Sequence, residues 1–360
     1  MSYPFFRFPQ LVRSDILKQM SVLESFSIAT LSARSRAAVR ISNSSQRFEL
    51  IIKVGEKSVI SRSKGFRSYD DDVLTILFKS NDEKKTEFQY QQWKLFSQDS
   101  VPVEVEKIEK FGHTLITFWD DALAITEEIP KYLFGTFKKL SITLDLGSAD
   151  LESFYKMFSF VKDLKLELKH VLVGSYANTK DEVVETVLHE CRAIEQFSIV
   201  GGVSENFYYD LHTRQPFNFK YIHIERPQWV TKDHMIKLFL TCERVRLEER
   251  EFEVSEIRDI INEWVDGCRL KHFEVYGKDE HYQHDFVLRL SNTFNDKIPV
   301  PRAKVYNPER NIHEDIMFPT DSCFLITRTD GSNGIIYERE KVLFLTTDFE
   351  MGTDELNANR

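Results

Sequence analysis

The N-terminal residues place apolar side chains at helical spacing. Val12, Ile16 and Met20 recur at every fourth position, which predicts one apolar face of a first helix. Ser21 and Glu24 have the spacing of a capping box, so a second helix is expected to begin at once. A further serine cap predicts a third short helix. Helices of this size bury little area by themselves, which favours a partner surface over the alternative, a small helical subdomain packed on its own chain.

From Arg47 onwards, apolar positions alternate with polar ones. Phe48, Leu50 and Ile52 have the period of a half-buried strand. Further β-rich runs, separated by polar breaks, cover residues 73–78, 88–96, 101–105 and 115–119. We therefore predict antiparallel hairpins in this part of the chain.

Short apolar pairs with one intervening residue then recur, and apolar helical stripes separate most of them. The pairs are Ile142/Leu144, Leu164/Leu166, Phe197/Ile199, Ile222/Ile224, Val245/Leu247 and Phe273/Val275. The stripes are Leu151/Phe154/Tyr155/Phe158, Val183/Val184/Val187/Leu188, Met235/Ile236/Leu238/Phe239 and Ile257/Ile260/Ile261/Trp264. A strand and a helix in every unit of about 20–29 residues is typical of leucine-rich repeats, whose units bury their apolar faces against their neighbours. The pattern predicts a short, irregular α/β solenoid.

The C-terminal part loses this period. Residues 298–319 contain several prolines and predict an extended connection. The predicted strands after it are 324–328, 334–337 and 342–345, with turns at Asp330-Gly331 and Asn333-Gly334. These strands are expected to close the open end of the repeat stack, and residues 348–360 are interpreted as a polar tail.

Composition limits the class of protein. The chain has 360 residues, 42% apolar and 29% charged, with a formal charge of −9. This balance predicts a soluble globular protein of two or three domains and argues against a nucleic-acid partner. No apolar run is long enough to span a bilayer, and no signal peptide is recognisable. Four widely spaced cysteines indicate a reducing compartment, so we expect a cytoplasmic or nuclear protein without a membrane partner.

Three cysteines occur once per repeat, where a helix is followed by a strand. They are Cys191, Cys242 and Cys268. A zinc site needs ligands that converge, whereas this spacing suits small buried apolar side chains. We interpret the three residues as structural.

Two polar clusters could invite a cation, and both are interpreted as solvated loops. The clusters are Asp70–Asp72 and the group Asp279, Glu280, His281, His284 and Asp285. The sequence contains no phosphate-binding glycine motif and no nucleophile elbow. We therefore expect no metal, no cofactor and no enzymatic activity.

The N-terminal helices resemble an F-box over roughly residues 4–43. The resemblance depends on Phe8-Pro9, Val12, Ile16-Leu17, Met20-Ser21, Leu23, Phe26, Leu31-Ser32 and Arg36 to Val39. Phe8 replaces the usual leucine, and the tryptophan often found in the third helix is absent. The resemblance implies docking to the Skp-type adaptor of a cullin-based ubiquitin ligase. The residues expected to contact the adaptor are Pro9, Ile16, Leu17, Met20, Leu23 and Phe26.

The repeat region carries a second resemblance. Residues 191–199 are similar to a Cys-type leucine-rich repeat, and residues 215–277 resemble the F-box-associated type 2 domain of nematode F-box proteins. The recognisable segments are 241–247, 253–267 and 270–275. This resemblance implies that the region is an arm that recognises a protein target.

The sequence thus predicts a multidomain protein of mixed α+β and α/β class. Its expected parts are an F-box at 1–45, an antiparallel β-rich segment at 46–125, a leucine-rich-repeat-like F-box-associated domain at 126–280, and a linker, terminal β-hairpin and tail at 281–360.

The expected function is that of a non-catalytic substrate-recognition subunit of an SCF-type cullin-RING E3 ubiquitin ligase. Its partners would be the Skp-type adaptor, cullin through that adaptor, and an unidentified protein target. The alternative is an interaction scaffold that does not direct degradation. Outward positions beside the strands are candidate target contacts, each with a merely solvated charge as the alternative: Glu195, His223, Glu225, Arg246, Glu248, His272 and Glu274.

Overall fold

The chain folds into two compact units of α+β class, residues 1–169 and 170–360. The computed structural model describes residues 5–54, 56–62, 72–85, 87, 89–95, 98–108, 112–121, 125–147, 150–174, 180–192, 194–278, 284–307, 312–319 and 321–351. No helix in these ranges combines the length and the hydropathy that crossing a bilayer requires. The four-part division expected from the sequence stays a prediction.

Unit 1 opens with three short helices and continues as a strand-rich body. Its elements are α1 (Gln10–Gln19), α2 (Val22–Leu31), α3 (Ala33–Ser42), β1 (Phe48–Lys53), β2 (Lys57–Arg62), β3 (Val73–Ser80), β4 (Gln91–Leu95), β5 (Gln98–Ile108), β6 (Gly112–Trp119), α4 (Ile125–Thr136), β7 (Leu140–Asp145), α5 (Leu151–Asp163) and the start of β8 (Glu167–Val173).

The helix starts follow the capping residues of the sequence. The Glu24 N–H donates to Ser21 Oγ at 3.2 Å, and the Ser21 N–H donates to the Glu24 carboxylate at 2.8 Å. These two bonds form the predicted capping box of α2. Ser32 Oγ accepts from the Ser35 N–H at 3.0 Å and caps α3.

The strands of unit 1 form a mixed sheet in the order β7-β1-β2-β3-β6-β5-β4. β1–β2, β2–β3, β4–β5 and β5–β6 are antiparallel, as the sequence predicts. The prediction of hairpins throughout is wrong for β3 and β6, which pair in parallel. The β4–β5 hairpin lies between them in the chain, so β6 returns beside β3 in the same direction. β1 and β7 also run parallel, with Phe48 opposite Leu140.

Unit 2 begins with alternating strands and helices and ends in a β-rich part. Its elements after β8 are α6 (Asp181–Glu190), β9 (Gln196–Ile199), β10 (Tyr221–Glu225), α7 (Lys232–His234) with a π-helical turn over Met235–Phe239, β11 (Arg244–Glu248), α8 (Val254–Val265), β12 (His272–Tyr276), α9 (His284–Ser291), β13 (Ile298–Pro299), β14 (Arg302–Asn307), β15 (Ile312–Met317), β16 (Cys323–Thr327), β17 (Asn333–Arg339), β18 (Val342–Thr346) and β19 (Phe349–Met351).

The predicted apolar pairs of unit 2 form a buried ladder. β8 to β12 are all parallel, and their register aligns Phe197 with Ile222, Val245 and Phe273. Each of these four side chains is buried. The second members of the pairs align in the same way, so each of these strands adds one rung to a common core.

One predicted pair does not belong to a strand. Leu164 and Leu166 lie between α5 and β8, which begins only at Glu167. Lys165 adopts a positive φ of 52°, a left-handed turn conformation that ends the helix. The apolar pair therefore lies in the turn and not in β8.

The terminal strands cover the edge of the parallel strands β8–β12. β18 pairs antiparallel with β12, placing Thr346 opposite His272, and the sheet continues through β17, β16 and β13. A parallel strand left at an edge would expose unpaired backbone groups.

Three expectations for this region are wrong. Residues 298–319 are not an extended connection, because β14 and β15 form a hairpin that pairs with β19 in a second, three-stranded sheet. Asn333-Gly334 is the start of β17 and not a turn. Phe349–Met351, expected in the tail, is β19; residues 352–360 lie outside the described residues.

The packing of Trp264 explains why the second residue of β17, Gly334, has no side chain. A Cβ at this position would collide with the indole of Trp264 on α8. That indole is fully buried, and its Nε1 donates to the Leu270 carbonyl at 2.9 Å, so it cannot move aside without losing a hydrogen bond. The close packing of α8 on β17 therefore depends on a residue without a side chain.

We predict that Gly334→Ala lowers the free energy of unfolding by about 1–3 kcal/mol, because it overpacks a filled core. Urea denaturation followed by tryptophan fluorescence measures the change. Gly135→Ala is the matched control, since a Cβ there meets nothing within 4 Å. An unchanged midpoint for Gly334→Ala would contradict the packing described for α8.

Candidate functional site

Six of the seven charged residues proposed as target contacts lie on one face of the unit 2 sheet. Alternation along a strand sends them to the side opposite the apolar ladder. We call this surface the polar strand face and define it by His223, Glu225, Arg246, Glu248, His272 and Glu274. Glu195, the seventh, precedes β9 and pairs with Lys220 at 3.2 Å outside this face.

Arg246 lies at the centre of the polar strand face. Its guanidinium donates to the Glu248 carboxylate at 2.9 Å from Nε, and lies 3.8 Å from the Glu274 carboxylate. It also stacks over the Tyr276 ring, 4.6 Å from the ring centroid. One cation on β11 therefore joins two carboxylates and an aromatic ring from neighbouring positions of the sheet.

Two histidines complete the network. His223 Nε2 lies 3.0 Å from the Glu248 carboxylate, and His272 Nε2 lies 2.6 Å from the Glu274 carboxylate. His272 and Glu274 are both buried. Buried charges need such partners, because an unpaired carboxylate would lose its hydration without compensation.

The surroundings shift the pKa values of both carboxyl groups. Burial pushes the pKa of Glu274 upwards, but the hydrogen bond from His272 and the charge of Arg246 hold it below its usual value. The hydrogen bond from His223 lowers the pKa of Glu248 against the opposing effect of burial, and Arg246 adds to this. Both groups are therefore carboxylates at neutral pH, and the face carries fixed charges.

Three residues of the polar strand face place their ligand atoms close enough together to coordinate a metal ion. One ligand atom each from His223, Glu225 and Glu248 lies within 4.8 Å of the others. Glu248 already accepts from Arg246, and the Glu225 carboxylate accepts from the Gly201 N–H at 2.8 Å. A cation here would have to displace these donors and sit beside a guanidinium, so the group fits an internal hydrogen-bond network better than a metal site.

A pocket of about 260 Å³ adjoins the C-terminal edge of the polar strand face, between β12 and the second sheet of unit 2. Its wall includes the His272 and Glu274 side chains together with Tyr306 and Tyr337. Arg339 bonds to Glu314 at 2.5 Å on the same wall. Tyrosine and arginine side chains are enriched on surfaces that bind another protein.

The residues expected to contact an adaptor divide into two groups. Leu17 and Phe26 are 0% exposed and pack inside unit 1, where the Phe26 ring meets Tyr132 of α4 edge-on at 5.9 Å. Neither offers atoms to a partner in this conformation. Pro9 is exposed, and the remaining predicted contacts are half-buried: Ile16, Met20 and Leu23.

Polar contacts fasten the three helices to the body of unit 1. The Asp72 carboxylate, just before β3, accepts from the Val22 N–H at 2.8 Å at the start of α2. Arg62 at the end of β2 donates to the Met20 carbonyl at 2.7 Å and pairs with Asp72 at 3.6 Å. Arg40 donates to the Gly135 carbonyl at 2.7 Å near the end of α4. The helices are thus an integral part of unit 1.

The N-terminal helices still expose apolar side chains. Leu11 is 79% exposed, and Phe8 and Val12 beside it are 37% and 42% exposed. Leu31 at the end of α2 is also exposed. The helical stripe in the sequence does not include Leu11, and a stripe alone does not show which face packs inward.

The cysteines and the two polar clusters are the remaining candidates from the sequence, and those that the structure describes are buried or have polar partners. Cys191 and Cys242 are buried, and burial raises the pKa of the Cys242 thiol to about 12, which keeps it protonated and inert. Cys268 is half-buried. Asp72 belongs to the contact with Val22, and Asp285 pairs with Arg289 at 3.7 Å. Two candidate segments, 70–71 and 279–283, lie outside the described residues.

Comparison with known proteins gives one distant relative to report. The Skn-1 dependent zygotic transcript 15 protein of Caenorhabditis elegans is 22% identical over 352 residues, which cover 95% of this chain and 96% of that protein. Its name describes a transcript and states no biochemical activity. No family model matches the chain, and no solved structure matches it. The similarity therefore extends through both units, and the two family resemblances remain expectations.

His170 on β8 makes stability depend on pH. Burial and the nearby charge of His223 lower the pKa of His170 to about 4, while the unfolded chain protonates it near 6.5. The unfolded state therefore gains a proton first as the pH falls, and stability decreases between these values.

We predict that His170→Gln removes about 2–3 kcal/mol of the stability loss between pH 6.5 and pH 4. Urea denaturation at a series of pH values measures it. Ser198 Oγ, 2.9 Å from His170 Nε2, keeps an amide partner in this variant. If the free energy of unfolding changes equally with pH in wild type and variant, His170 is not held neutral in the folded protein.

Proposed function

We propose that this protein is the substrate-recognition subunit of an SCF-type cullin-RING E3 ubiquitin ligase and binds a Skp-type adaptor through α1–α3. The observation that carries the proposal is the exposed apolar surface at the start of α1, formed by Phe8, Leu11 and Val12. Single exposed apolar residues are common, but adjacent ones on a firmly held helix are typical of a protein contact. The resemblance of the same segment to an F-box supports this interpretation.

The proposed adaptor contact differs from the set expected from the sequence. Leu17 and Phe26 are assigned to the internal core that holds the helices together. Pro9 and the exposed residues around it take the central role, with half-buried Ile16, Met20 and Leu23 at its margin. Burying one such leucine or valine side chain contributes about 1.5–3 kcal/mol, so a few of them suffice for a specific contact.

The target is proposed to bind unit 2 on the polar strand face and its adjoining pocket. The half-buried Arg246 and Glu248 offer a defined pattern of charge, and the buried Glu274 contributes through the pocket wall. Such a pattern selects partners more than it adds affinity. The proposal gives the chain no catalytic step. It acts by holding target lysines near a charged conjugating enzyme, which raises their effective concentration.

The adaptor contact is tested by the double variant Leu11→Arg/Val12→Arg. Leu17→Arg would bury a charge in the core and unfold the helices, so it cannot serve. We predict that the double variant retains at least about tenfold less Skp-type adaptor in a pull-down, because two apolar contacts are lost.

Met317→Arg is the matched control, because Met317 in unit 2 has the same 79% exposure as Leu11. It should retain the adaptor as wild type does, and all variants should unfold at the same urea concentration. Equal retention by the double variant, or none by wild type, would contradict the proposed contact. Target abundance in cells with and without the protein then separates a ligase subunit from a scaffold.

A further inference from the structure

A basic pocket in unit 1 is not used by the proposed function. It has a volume of about 480 Å³ and lies where β1, β7 and β8 begin. Parallel pairing places Phe48 opposite Leu140, so the residues before β1 and β7 meet at one edge of the sheet. Its basic side chains come from three separate segments: Arg47, Lys138, Lys139, Lys165 and Lys169.

The pocket lining carries a large excess of positive charge. Glu167 is the one acidic side chain among its lining residues. Within the described part of the chain, none of the five basic side chains makes an ion pair or a side-chain hydrogen bond. Lysines elsewhere in unit 1 do pair, for example Lys53 with Glu56 at 2.7 Å. Five cations around one cavity repel each other in a chain whose formal charge is −9, and a bound anion would relieve that repulsion.

The C-terminal end of α4, beside the pocket, does not prevent an anion from binding there. α4 ends beside the pocket, and the negative end of a helix dipole would oppose an anion there. Arg40 donates to the Phe134 carbonyl at 3.1 Å and to the Gly135 carbonyl at 2.7 Å. Phe134 itself lines the pocket. The Arg40 guanidinium therefore offsets the negative end of α4 at two of its last carbonyl groups.

Shape and chemistry narrow the ligand class. The volume lies within the range of small-molecule sites, and the cavity is a pocket with walls of apolar and basic side chains. Single-stranded nucleic acid needs exposed rings for stacking, but Phe48 is buried and Phe134 half-buried. Lysine and arginine together are the usual partners of phosphate oxygens.

We infer that this pocket binds a compact ligand that carries two or more phosphate groups. The ligand is either a soluble polyphosphorylated small molecule or the multiply phosphorylated headgroup of a lipid. Both present the same chemistry to Arg47 and the lysines. The inference does not depend on the proposed ligase function.

Titration of the full-length protein with inorganic tripolyphosphate and with inositol hexakisphosphate, followed by calorimetry, tests the site. We expect saturable binding that the triple variant Lys138→Gln/Lys139→Gln/Lys165→Gln weakens by at least about tenfold, with a smaller dependence on salt. The control variant Lys18→Gln/Lys79→Gln/Lys156→Gln changes the net charge equally, outside the pocket, and should bind within about twofold of wild type.

Co-sedimentation with phosphatidylcholine vesicles, with and without phosphatidylinositol bisphosphate, separates the two sources. If the protein sediments only with vesicles that contain this lipid, and the pocket variant does not, the ligand is the lipid headgroup. If the protein binds only the soluble probes, the ligand is a soluble polyphosphorylated molecule. Urea denaturation of each variant checks its fold. Absence of binding to the soluble probes and the vesicles, or equal weakening in the pocket and control variants, would overturn the inference.

Discussion

The Asp72 carboxylate at the start of α2 fixes the position of the N-terminal helices. The first N–H groups of a helix have no partner within it, and Asp72 accepts the one from Val22. Arg62 neutralises this carboxylate and also holds the Met20 carbonyl at the end of α1. The turn between α1 and α2 is thus bonded to β2 and to the residue before β3. These bonds hold the helix that carries the exposed apolar surface. Binding of a partner would therefore not have to order this segment of the chain.

A second constraint organises unit 2, and it is the strand register. With a side-chain period of two, aligned strands place apolar residues in one ladder and charged residues in another. A slip by one residue would bury Arg246 and expose Val245. The same register that fills the core therefore also assembles the polar strand face, and the ion pairs across β10, β11 and β12 reinforce it.

Local chemistry made much of this fold predictable. Capping boxes, alternation and recurring apolar pairs each depend on neighbouring residues, so α1–α3 and the aligned apolar pairs of unit 2 followed from the sequence. The parallel pairing of β3 with β6 depends on a distant segment, and no local pattern encodes it. The stripe through Val12 and Ile16 predicted a helix, yet it did not show which side faces inward. In the structure Leu17 is buried, whereas Val12 is exposed. The basic pocket was missed for the same reason, because three separated segments supply its charges.

The central proposal is that the start of α1 is the adaptor contact. Hydrogen–deuterium exchange of the full chain, alone and saturated with purified Skp-type adaptor, tests it most directly. The proposal predicts that amides in residues 8–20 exchange at least about tenfold more slowly in the complex, since burial suppresses local opening. Residues 221–248 of the polar strand face should be unaffected. Unchanged exchange in residues 8–20, or protection confined to residues 221–248, would contradict the proposed division of the chain into an adaptor-binding part and a target-binding part.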